Sequence, residues 1–120
     1  MDLVRLRDPE KMNVLGLLMH GFLRNALSDE RLAARARAMS GEVWLNAGLM
    51  WTTLVFDGQG IEIVRGKTQE RTAMVGGEMD VLLGVVTGAG MVGPFLAGKI
   101  KIGGNPFFLL RMLPILTSGG

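Results

Sequence analysis

Between residues 15 and 27 the apolar side chains return every three or four positions, at Leu15, Leu18, Met19, Phe22, Leu23, Ala26 and Leu27. That is one face of a helix. Asp8-Pro9-Glu10 reads as its start: a capping side chain, a proline at the first position and an acid in the first turn. Ser28 restarts the pattern as a second cap, with Asp29 and Glu30 behind it and a thinner stripe of Leu32, Ala36 and Met39. Arg31, Arg35 and Arg37 lie on the other side, and Gly41 ends the segment. The pattern fits one bent helix or two.

From Glu42 the period changes to two. Residues 43–45 form a short strand and 46–48 a turn. Residues 49–56 form a longer strand ending in Asp57-Gly58-Gln59-Gly60, a strong hairpin signal. Residues 61–65 return, Gly66-Lys67 turns, and 68–75 make the next strand before Gly76-Gly77. Hairpin-linked strands predict an antiparallel meander. Residues 78–86 then read as a short helix, with Met79, Leu82, Leu83 and Val86 on one side. The glycine-rich segment 88–98 is not expected to be a regular helix throughout, because Gly90, Gly93 and Pro94 each weaken one. Lys99-Ile100-Lys101-Ile102 alternates like a strand with one wet face, Gly103-Gly104-Asn105 turns, and Pro106 opens a final apolar helix that Pro114 is expected to stop.

The end of the chain resembles the sterol carrier protein 2 family. The matching residues are Thr87-Gly88, Pro94, Phe95-Leu96, Gly98-Lys99-Ile100-Lys101-Ile102, Gly104-Asn105 and the apolar run from Phe108 to Met112. Their order and spacing fit the family, with the segment from Gly88 to Gly98 one residue short. By order of elements the resemblance spans residues 10 to 116, and its motifs are specific from Trp51 onward. The family's carboxyl-terminal peroxisomal tripeptide is absent, since the chain ends Thr117-Ser118-Gly119-Gly120. The resemblance implies an α+β fold, a curved antiparallel five-stranded sheet with helices on one face and an apolar tunnel between them.

Composition narrows the function. At 120 residues the chain is expected to be a single domain, residues 1–120. It has no cysteine, so disulfides and thiolate chemistry are excluded, and a reducing, cytoplasmic setting is expected. No signal peptide or membrane span is read. A net charge of +2 gives no argument for nucleic acid. Its distribution says more: no acid follows Asp80, while Lys99, Lys101 and Arg111 remain. Such a segment could make a transient contact with an anionic membrane surface.

Candidate chemistry is thin. Gly88-Ala-Gly90-Met-Val-Gly93 has the letters of a dinucleotide-binding loop, but Pro94 and Gly98 leave no room for a helix after it, and no acid follows to hold a ribose. His20 is the only histidine and has no carboxylate or nucleophile at a telling spacing. The acids sit in caps and turns. No catalytic set, metal site or cofactor is read, and an enzyme is not expected. The nine methionines suit an adaptable apolar lining as well as an ordinary core.

The expectation is therefore a carrier that holds a lipid, fatty acyl chain or other elongated apolar molecule. Matched to the family, the lining would come from Trp51, Thr53, Val55, Ala73 and Val75 on the sheet, Leu82, Val86, Phe95 and Leu96 in the middle segment, and Phe108, Leu109 and Met112 in the last helix. The other face of the long strand (Met50, Thr52, Leu54, Phe56) would then point outward, and its apolar end calls for a cover such as a second copy of the chain. The competing reading is a non-enzymatic scaffold of the same fold, acting through that dimer face or a partner.

Overall fold

The computed structural model describes residues 3–85 and 97–117. The elements run β1 (Val4–Leu6), a 3₁₀ turn (Pro9–Lys11), α1 (Val14–Ala26), α2 (Glu30–Arg37), β2 (Ser40–Ala47), β3 (Met50–Asp57), β4 (Ile61–Arg65), β5 (Ala73–Gly77), α3 (Met79–Gly84), β6 (Ile100–Gly104) and α4 (Pro106–Leu116). The strands form one sheet in the order β1-β4-β3-β2-β5-β6.

The α+β class stands, but the sheet has six strands, not five, and it is mixed. The pairs β2/β3 and β3/β4 are antiparallel, as the hairpin signals predict. The pair β5/β6 is antiparallel as well, but the expected β4/β5 hairpin does not form, since β5 lies between β2 and β6. The pairs β1/β4 and β2/β5 are parallel. The extra strand is β1, whose Val4 is buried and whose register sets Val4 beside Ile61. Gly60 makes that approach possible, because a Cβ there would collide with the Leu3 carbonyl. Two surface ion pairs, Arg5 with Asp57 and Arg7 with Glu62, line the same edge.

The parallel β2/β5 pair exists because the chain crosses over after β4. Residues 66–72, expected to be turn and strand, instead form a strap across one face of β3 and β2. Thr53 donates its hydroxyl to the Gly66 carbonyl at 2.8 Å and accepts from the Thr68 N–H at 3.3 Å. The Trp44 indole N–H donates to the Thr68 hydroxyl at 3.3 Å. Lys67 Nζ sits 4.7 Å from the Trp51 ring centre and 5.6 Å from that of Trp44. Thr72 exchanges bonds with Glu42 before β5 begins.

The helices cover the other face. Thr52 donates to Asn13 Oδ1 at 2.9 Å, and Asn13 both caps α1 through the Gly16 N–H and donates to the Trp51 carbonyl. This is why α1 begins at residue 14. Asp8-Pro9-Glu10 makes only the isolated 3₁₀ turn, with no side-chain cap from Asp8. α1 and α2 are separate helices, and Asp29, not Ser28, caps the second. α4 runs through Pro114 to Leu116 rather than stopping there. A helix-interior proline costs about 3 kcal/mol, which the full burial of Ile115 and Leu116 offsets. The core lies between these helices and Val43, Leu45, Leu54, Phe56, Ile61, Ile63, Ala73 and Val75.

The faces of β3 are thus the reverse of the expected ones. Thr52, Leu54 and Phe56 are 0–1% exposed beneath the helices, and the Phe56 ring meets Phe108 edge-on at 5.4 Å. They offer no surface to a second copy. Trp51, Thr53 and Val55 point to the strap side. The alternation was read correctly, but strand period alone does not say which face turns inward.

Candidate functional site

α4 carries two apolar stripes. Phe108, Met112, Ile115 and Leu116 turn into the core. Pro106, Leu109, Leu110 and Leu113, at i, i+3, i+4 and i+7, turn toward the sheet edge. Between that second stripe and the edge strands lies a groove of about 210 Å³, lined by Val75, Ile102, Pro106, Leu109, Leu110, Met112 and Leu113. Every one of these side chains is apolar. The alternation of β6 explains its part. Ile102 pairs with Val75 on the helix side, while Lys101 pairs with Gly76 on the strap side.

Of the twelve residues expected to line a ligand site, Val75, Leu109 and Met112 are brought together here. Ala73 and Phe108 are buried in the core, Phe108 against Phe56. Leu82 is half-buried on α3, packed against the core. Trp51, Thr53 and Val55 lie on the strap side, away from the groove. Val86, Phe95 and Leu96 fall outside the described residues, as does the glycine motif 88–93. The reading missed Ile102, Pro106, Leu110 and Leu113. Their signal was present, since α4 repeats at helical spacing on two sides, but the family match drew attention to one side only.

No acid lines the groove among the described residues. The perturbed titrating groups lie elsewhere, two of them at the far edge of the sheet. There the Arg7 guanidinium is raised above its ordinary value by its hydrogen bond to Glu62. Asp57 is held below the usual carboxylate range by its hydrogen bond from Arg5. His20 is half-buried on α1. Among the described residues no three His, Asp or Glu side chains gather as a metal site. A larger hollow of about 710 Å³ opens on the strap side, where Lys99, Lys101, Glu78 and Asp80 share the lining with Trp51 and Met74. Its mixed charges make it a poor home for a hydrocarbon chain. The groove, smaller and wholly apolar, suits one.

No family model matches the chain, and no curated protein matches its sequence. Its fold does have solved counterparts. A ubiquinone synthesis protein, UbiJ-SCP2, superposes with a TM-score of 0.68 at 14% identity, over 93% of each chain. Apo sterol carrier protein 2 from Yarrowia lipolytica superposes with a TM-score of 0.63 at 15% identity, over 99% of this chain and 98% of that one. The palmitated SCP2L2 of Aedes aegypti gives a TM-score of 0.61 at 13% identity, over 88% and 95%.

Proposed function

We propose that this chain, which has the sterol carrier protein 2 fold, is a carrier that holds a fatty acyl or other elongated apolar chain in the groove between α4 and the β5/β6 edge. The observation that carries the reading is a lining made only of apolar side chains, one of which, Leu110, is 62% exposed. The fold likeness supports it, since one counterpart is itself palmitated.

The mechanism is burial without catalysis. At the ~30 Å³ a water takes in the liquid, the groove of about 210 Å³ admits about seven groups of that size. Seven buried methylenes at ~0.8 kcal/mol each give roughly 6 kcal/mol. That corresponds to a dissociation constant on the order of 10–100 μM, weak enough to release the cargo again.

The test is Leu110→Glu. Uptake of a fluorescent fatty acid should weaken by about tenfold or more, because a carboxylate then faces the alkyl chain. The unfolding free energy in urea should stay within about 0.5 kcal/mol of the parent, as for other surface positions. Native mass spectrometry with solvent extraction should identify the cargo. A parent protein that takes up no acyl probe would overturn the carrier reading and leave the scaffold reading.

A further inference from the structure

Arg111 is the only charged side chain of α4. One side of the helix enters the core and a second borders the groove. The remaining side is also apolar: Phe107 is 74% exposed, and Leu110 and Pro106 stand beside it in solvent. A helix apolar all round belongs in a core or against lipid, and this one lies at the surface. Eleven residues span only about 16 Å, so it cannot cross a hydrocarbon layer of ~30 Å. It can lie in the plane of the headgroups.

The charges nearest this face are basic. Arg111 stands on the helix itself. Arg31 and Arg35 of α2 share a hollow with Pro114 at its far end. Lys99 and Lys101 stand on the neighbouring edge at its near end. Both point to the strap side, where they share a hollow with Glu78 and Asp80. The acids nearby are Asp29, the cap of α2, which faces Arg31 at 3.7 Å, the exposed Glu30 of α2, and Glu78 and Asp80 on the strap side beside Lys99 and Lys101. None lies in β6 or α4.

We propose that the exposed face of α4 docks on an anionic lipid bilayer. Phe107 and Leu110 enter the headgroup region, and Arg111 and Arg35 meet the lipid phosphates. Leu110 belongs to both the docking face and the groove wall, so the docked protein presents the groove to the bilayer. The docking does not depend on what the groove holds.

The experiment is co-sedimentation with vesicles of phosphatidylcholine alone or mixed with phosphatidylglycerol. The parent should bind the mixed vesicles at low salt, bind the neutral ones weakly, and be released by high salt. Phe107→Glu should weaken binding by about tenfold or more with the urea midpoint and acyl uptake unchanged, since Phe107 does not line the groove. Arg111→Glu should weaken it by about fivefold or more. The two native tryptophans, Trp44 and Trp51, lie on the opposite side of the sheet, so parent emission should not move, whereas Phe107→Trp should shift to the blue. A blue shift of the parent would mean that the strap side docks, and would overturn the proposal. So would binding indifferent to Phe107→Glu. Absence of vesicle binding together with a dimer that Phe107→Glu dissolves would assign the face to a second copy instead.

Discussion

Replacing Phe56 by alanine and, separately, Val55 by alanine measures which face of β3 is inward. Phe56 is 1% exposed and packs edge-on against Phe108. Its truncation removes most of a buried ring and leaves a cavity under α4, at a cost of about 3–5 kcal/mol. That range includes the ~0.5–1.5 kcal/mol of the aromatic pair itself. Val55 is half-buried on the strap side. Losing its two methyl groups, each about half-desolvated, costs about 0.8 kcal/mol. The assay is urea unfolding followed by tryptophan emission. With a slope of about 1.5 kcal/mol per molar urea, Phe56→Ala should lower the midpoint by about 2–3 M and Val55→Ala by about 0.5 M. Against a typical total of 5–15 kcal/mol the first variant sits near the edge of folding. Leu54→Ala, at about 2–5 kcal/mol, repeats the test from the same face. Equal shifts for Phe56 and Val55, or a larger one for Val55, would refute the assignment of faces.

Two further outcomes are expected. Asn13→Ala removes the α1 cap and the bond to the Trp51 carbonyl, and should cost about 2 kcal/mol in urea unfolding. Asp57 has a folded pKa below its ordinary 3.8, so its stabilising effect is complete above that value and is lost as pH falls through the lower folded one. Its pair with Arg5 is 32% and 41% exposed, so water screens it and the effect stays at or below about 1 kcal/mol. Asp57→Asn should therefore narrow the stability gap between about pH 5 and about pH 3.

The hairpins were legible because Asp57-Gly58-Gln59-Gly60 and the period-two strands carry local turn chemistry. The last helix was legible because Asn105-Pro106 caps and starts it, with Asn105 Oδ1 accepting from Phe107 N–H. β1 was not. Val-Arg-Leu is too short to show a period, and its partner lies more than fifty residues away. The inward face of β3 was not legible either, since both faces mix threonine with large apolar residues. What decides it is non-local: Asn13 satisfies Thr52, while the strap satisfies Thr53. The groove was half legible. Its sheet-side residue Val75 and its helix residues Leu109 and Met112 were named, but Pro106, Leu110 and Leu113 required reading α4 as apolar on more than one side.

The strap also fixes an order of assembly. β2, β3 and β4 are joined by short turns and can pair as soon as they leave the ribosome. β1 has to wait for residues 61–63, and β5 can reach β2 only after residues 66–72 have crossed the meander. During synthesis the newborn sheet can therefore close its β4 edge with β1 at once, but its β2 edge stays open and Phe56 lacks its partner Phe108 until the later residues follow. Such an intermediate is prone to pair with its own kind. A chaperone that grips this meander would bind the nascent chain and let go once residue 77 has been added and β5 has closed one edge.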